Sequence, residues 1–268
     1  MTRDSGNAFR KKKNSGKAFR QDPSKGLSFC ADGKLTRRAA DGMIGQTYGN
    51  GGSGMEFGIK TLTVEQFLDA LGSNSAAPGG GAAAGLSGAL GAALGRMVAE
   101  LTAGRQKYAA WSDAAKDVSD RLAPLTERFL ALADRDAEAY SRYMDALALP
   151  KNDEAERAAR KEAMQRAIRF ATEVPCSVVE TCLETVALLE QLYGQSNPTC
   201  AGDLAAGAAQ LQCAAKIAWL NILANLPYYS DPEAAKTILS ESEQNLSGLY
   251  ARCEALYARV SADVRPQL

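Results

Sequence analysis

SAAPGGGAAAGLSGALGAALGRMVAELTAGRQKY, residues 75–108, is the stretch on which the reading of this chain turns. A proline and three glycines open it, and a long Ala/Gly-rich segment follows. Alanine is the best helix former, whereas each glycine inside a helix costs about 1 kcal/mol relative to alanine. Gly81, Gly85, Gly88, Gly91 and Gly95 are spaced by four, three, three and four residues, which places them in one helical stripe about 120° wide. Several glycines on one face predict a surface that another backbone, or a flat ligand, approaches very closely.

Outward from this segment the body reads as helix. Thr63 and Gln66 form a capping box ahead of a short helix over 64–72. The glycine helix is expected over 81–103, ending at Gly104. Arg96 and Glu100 interrupt it too early for a convincing membrane span. Further helices are expected over 112–122, 124–147 with Pro124 in its first turn, 153–173 capped by Asn152, and 176–193 after a break at Val174-Pro175. The last two are 203–225, stopping before Pro227, and 232–262, opened by Asp231-Pro232. No segment carries a strand pattern. The expected fold is an all-α bundle of about six to eight helices with short connections.

Composition agrees. The 268 residues are 46% hydrophobic and 7% aromatic, which suits a helical domain with a substantial core. There is no histidine, which removes the commonest general base and metal ligand and any Ser-His or Cys-His nucleophile. Cys30, Cys176, Cys182, Cys200, Cys213 and Cys253 form no CxxC pair. A zinc site is therefore not expected, and reduced thiols in a cytoplasmic protein are.

Residues 1–54 differ in kind. They hold eleven Lys+Arg against four Asp+Glu and lack any apolar period. They read as a disordered basic leader without a secretory apolar region. A basic arm can touch nucleic acid or a membrane surface. The preferred reading is that the leader is not native and that Met55, after Gly51-Gly52-Ser53-Gly54, is the true start. The domain is then 55–268, with neither membrane nor nucleic acid as a partner.

Four groups can carry chemistry. Gly79, Gly80 and Gly81 lead into a helix start whose N–H groups can bind an anion; close packing alone also explains them. Arg105, Lys107 and Tyr108 lie just beyond the glycine helix. They can hold a carboxylate or merely complement the helix dipole. Asp136 shares a face with Tyr140 and Tyr143, an acid beside phenols and so a candidate proton handler, while a solvated acidic face is the plainer reading. Asn197 and Asp203 sit in a polar loop entering a helix, where Asp203 either caps the helix or meets a heterocycle's paired N–H groups. Cys200 has nothing to activate it and reads as packing.

Several segments together carry a resemblance: SAAPGGG with the Ala/Gly helix, GRQKY, DRDAEAYSRYMDALALPKN, EVP before an ET-containing helix, SNPTCAGDLAAGAAQL and NILANL. In this order, over about residues 57–260, they resemble the formiminotransferase-cyclodeaminase C-terminal family, in its stand-alone cyclodeaminase/cyclohydrolase form. The resemblance implies an α-helical homodimer, or a dimer of dimers, acting on tetrahydrofolate one-carbon units, with no cofactor beyond the tetrahydrofolate that carries the substrate group. The expected reaction is conversion of 5-formiminotetrahydrofolate to 5,10-methenyltetrahydrofolate and ammonia. Hydrolysis of the methenyl form is the alternative, and a non-enzymatic helical interaction module is a further one.

On that resemblance Asp136 is the leading proton handler. Asp203 is the pterin anchor or alternate acid/base, and the two roles can be exchanged. Arg105 and Lys107, beside Tyr108, are assigned to folate carboxylates or electrostatic positioning. Gly79, Gly80 and Gly81 are a backbone wall with donors, and Asn197 orients the leaving amine.

Overall fold

The computed structural model describes residues 58–266. The leader 1–54, and with it the reading of Met55 as a start, lies outside the described residues. The described elements are α1 (Val64–Leu71), α2 (Gly80–Glu100), α3 (Ser112–Ala148), α4 (Glu154–Leu192), α5 (Ala201–Asn225) and α6 (Pro232–Asp263), joined by short turns of 3-10 helix. Among the described residues there is no strand.

The glycine helix α2 is the centre of the bundle. By length and composition it could pass for a membrane span, but α3, α4 and α5 cover it. Its glycines show why it must be thin. A Cβ at Gly85 would stand 2.8 Å from the carbonyl oxygen of Phe129 and 2.9 Å from the amide nitrogen of Ala133. At Gly88 it would lie 2.3 Å from Cε1 of Phe129, and at Gly95 2.1 Å from Cδ2 of Leu189. At Gly91 it would meet Leu211 Cδ2 at 2.9 Å and the Gly207 carbonyl at 3.0 Å. The close approach expected from the stripe is thus made by α3, α4 and α5 of the same chain.

These pairings also fix direction. Along α2, Gly81 faces Asp136, Gly88 faces Phe129 and Gly95 faces Leu122, so α3 runs antiparallel to it. Gly80 faces Ile217 while Gly91 faces Leu211 and Gly207, so α5 is antiparallel as well. The 37 residues of α3 and 39 of α4 far exceed the 21 of α2. The hairpin of α3 and α4 therefore overhangs the start of α2.

Two prolines expected to divide helices do not. Pro124 sits inside α3 and Pro175 inside α4. A proline within a helix leaves the carbonyl four residues earlier without its donor. For Pro124 that carbonyl belongs to exposed Asp120, where water can serve. For buried Pro175 it belongs to Ala171, and Asn225 Nδ2 from α5 donates to that oxygen at 2.9 Å. A side chain from a neighbouring helix thereby repairs the ladder, and α4 continues.

The local start signals hold with one exchange. Gln66 N–H donates to Thr63 Oγ1 at 3.1 Å and Thr63 N–H to Gln66 Oε1 at 2.8 Å. Asp231 Oδ1 accepts from the amides of Glu233 and Ala234. At α4 the cap is Asp153 rather than Asn152: Asp153 Oδ1 accepts the Glu156 amide at 2.8 Å. Asn152 instead donates its own amide to the Glu156 carboxylate. Gly104 has φ +70°, the left-handed geometry that lets the chain leave a helix without Cβ strain.

The five described cysteines are free thiols. Cys182, Cys200 and Cys253 are buried, and burial pushes the Cys253 thiol up to about 12. Cys182 and Cys253 stay neutral and act as small apolar packing groups.

Candidate functional site

Asp136 stands where α3 passes the first turn of α2. Its Oδ2 accepts the Ala82 N–H at 3.1 Å. A Cβ at Gly81 would fall 2.0 Å from its Oδ1, so glycine there is the condition for the carboxylate to occupy this place. Burial raises its pKa from 3.8 to about 6, against the opposing effect of the Ala82 hydrogen bond. A carboxyl in that range both holds and releases a proton near neutrality, as a general acid-base requires. The start of α2 has no side-chain cap, which leaves its first amides to other partners.

Asp134 lies one turn from Glu138 on α3, a spacing at which like charges repel mildly. Instead Asp134 Oδ1 accepts the Ile59 N–H at 2.5 Å, and Glu138 pairs with Arg142 at 2.6 Å. Asp136 is thus the one carboxylate of this trio directed at the glycine turn. Further along α3, burial and the neighbouring Tyr228 push the Tyr143 phenol up, against Arg160.

The other sequence candidates gather at the opposite end of α2. Thr102, fully buried just past α2, donates to the Val98 carbonyl at 2.8 Å and accepts the Asn197 N–H at 2.9 Å. Asn197 Oδ1 accepts three bonds: from the Tyr108 hydroxyl at 3.0 Å, the Thr199 amide at 3.1 Å and Thr199 Oγ1 at 2.8 Å. Its carbonyl is therefore committed to holding the 194–200 loop. Arg105 and Lys107 are exposed, and the Lys107 ammonium lies 5.5 Å from the Tyr108 ring centroid. A cleft of about 220 Å³ opens beside them, lined by Thr102, Trp111, Val118, Glu190, Leu192 and Ser196.

Asp203 belongs to this end too. The residue at the cap position of α5 is Cys200, and Asp203 lies inside the first turn, so it does not cap the helix. It precedes Gly207 by one turn, and Gly207 packs against Gly91 and Leu94 of α2. On the α-helical rise, Asp203 and Asp136 are therefore separated by roughly 20 Å along α2. One chain brings Asp136 together with Gly79, Gly80 and Gly81. It brings Tyr108 together with Asn197, with Arg105, Lys107 and Asp203 nearby. It does not bring the two sets together.

Two residues went unassigned in the sequence. Thr102 gave no signal, because its partner Asn197 is far along the chain. Asn221, within NILANL, has a buried Nδ2 with no hydrogen-bond partner among the described residues.

Comparison with known proteins identifies the family. The family pattern described as Formiminotransferase-cyclodeaminase matches residues 63–244, a span that includes Asp136, Asn197 and Asp203. A methenyltetrahydrofolate cyclohydrolase of Methylorubrum extorquens is 34% identical over 206 residues, covering 77% of this chain and 97% of the relative. The formimidoyltransferase-cyclodeaminase of Gallus gallus is 35% identical over 184 residues, covering 69% of this chain and 34% of the relative. The chain thus spans about a third of that longer enzyme. Among solved structures, a formiminotetrahydrofolate cyclodeaminase from Thermotoga maritima superimposes with a TM-score of 0.64 at 26% identity, covering 76% of this chain and 96% of the other.

Proposed function

Because the chain belongs to the formiminotransferase-cyclodeaminase family, a family of folate one-carbon enzymes, we propose that it is a formiminotetrahydrofolate cyclodeaminase with Asp136 as its acid-base group. The observation that carries this reading is the Asp136 carboxyl, held against the glycine turn of α2 with a pKa of about 6.

The chemistry asks for one group that takes a proton and returns it. In 5-formiminotetrahydrofolate, N10 attacks the formimino carbon and a C–N bond forms. The N10 proton passes to the Asp136 carboxylate. The formimino group enters protonated, as an amidinium, so the same proton passed on to its nitrogen completes ammonia, which leaves as its C–N bond breaks. The product is the methenyl cation bridging N5 and N10. A carboxyl with pKa about 6 suits both halves of this transfer, and its negative form stabilises the developing cation.

A second reading has its own support in the near full-length match to the Methylorubrum cyclohydrolase. There water adds to the methenyl carbon as Asp136 accepts one of its protons and passes it to N5; the N5–C bond then opens to the 10-formyl form as the remaining hydroxyl proton is released to solvent.

The separation of Asp136 from Arg105, Lys107 and Asp203 fits a homodimer. The outer face of α2 and α5 carries exposed Leu90, Met97, Leu220 and Leu223, an apolar surface of the kind that marks association sites. A twofold axis crossing that face at right angles to α2 would set the glycine turn of one copy toward the Arg105 end of the other. In this arrangement Asp136 serves the reacting end of the folate, and the partner's Arg105 and Lys107 serve its carboxylate tail.

The test is a paired assay on the full chain. 5-Formiminotetrahydrofolate is supplied while methenyl absorbance and ammonia are followed. Methenyltetrahydrofolate is then supplied and its hydrolysis compared with the spontaneous rate. Ammonia release with methenyl formation is the expected result. Hydrolysis alone would replace it with the second reading, and neither activity would leave a helical interaction module.

A further inference from the structure

Asn221 lies on α5 one turn after Ile217, whose Cγ2 would be 3.8 Å from a Cβ at Gly80. Since α5 runs antiparallel to α2, that turn carries Asn221 past the start of α2, to the space ahead of Gly79 and Gly80. This is the Asp136 end of the molecule. Its Nδ2 is buried and finds no acceptor among the described residues.

Asn225, one turn further, shows what a structural amide does in this helix. Its Nδ2 donates to the carbonyl that Pro175 leaves free, Ala171 O, at 2.9 Å. Asn221 has no such duty. A buried N–H group without an acceptor is destabilising, and native proteins hold few of them. Leucine would fill the same volume without an unmet donor, so the amide is accounted for by an acceptor that arrives with a ligand.

We infer that Asn221 is a substrate-binding residue, its Nδ2 donating to an acceptor on a ring bound over the start of α2, beside Asp136. The inference rests on the folate reading above, under which the acceptor is the ring carbonyl of the reduced pterin. A carboxylate on α3 and an amide donor on α5, on either side of the start of α2, match the reacting edge of the reduced pterin, where the ring carbonyl stands next to the N5 that carries the formimino group.

The probe is 5-formyltetrahydrofolate, a stable reduced folate, titrated calorimetrically into the full chain, wild type and Asn221→Leu and Asn221→Ala variants. Unliganded melting temperatures are measured on the same samples. Both variants are expected to lose about 10-fold or more in affinity. The unliganded Asn221→Leu protein is expected to melt at or above the wild-type temperature. Wild-type affinity in both variants overturns the assignment while leaving the folate reading intact. Weaker binding accompanied by a lower melting temperature in both variants also overturns it, because the amide is then structural. A wild-type protein that binds no reduced folate overturns the folate reading, and this inference with it.

Discussion

At the scale of single residues, the proposed acid-base role of Asp136 ties chemistry to stability. Its pKa is raised by burial from 3.8 to about 6, so the folded chain binds this proton more tightly than the unfolded one. The favourable contribution is complete below about pH 4 and is lost as pH rises through about 6, amounting to about 3 kcal/mol. Asp136→Asn is therefore expected to lower turnover by about 10²- to 10⁴-fold. At pH 7.5 it should gain up to about 3 kcal/mol over the wild type. Denaturant melts at pH 4 and pH 7.5 check the sign, since the gain must shrink at the lower pH. The residue types were legible in the sequence. The separation of Asp136 from Asp203 was not, because it depends on α3 and α5 both opposing α2, and no local pattern encodes that direction.

At the scale of elements, glycines and prolines that look alike in sequence do different work. Gly85 faces backbone atoms of α3, whereas Gly80 faces only Ile217 at 3.8 Å. Gly85→Ala is expected to cost about 1–3 kcal/mol, because neighbouring backbone cannot step aside. Gly80→Ala is expected to be neutral or slightly stabilising, by up to about 1 kcal/mol. Chemical denaturation of the pair checks the contrast. Capping signals such as Thr63 with Gln66 were legible because donor and acceptor lie within one turn. The continuity of α4 was not, because the residue that repairs Pro175 is Asn225, brought there by the packing of α5. Asn225→Leu is expected to cost about 1–3 kcal/mol by leaving the Ala171 carbonyl unpaired in the interior, as a melt would show.

At the scale of the whole molecule, the outer face of α2 and α5 is the surface through which the homodimer reading stands or falls. Leu220 is 65% exposed, and Leu220→Glu is expected to give a monomer in sedimentation, with folding retained and activity lost. A dimer that survives the change would move the interface elsewhere. The bundle itself was legible from periodicity. Its centre was legible only as a stripe of small residues, since what covers such a stripe is a property of the assembled chain. That centre has a thermodynamic corollary. Alanine and glycine surrender almost no rotamer freedom on folding, so α2 joins the interior with its side-chain entropy nearly untouched. They also expose little apolar area when the chain opens, which lowers the heat capacity increment per residue. A bundle built around such a helix has a flatter stability curve than one built around leucines, and its folded state changes less in free energy between cold and warm conditions.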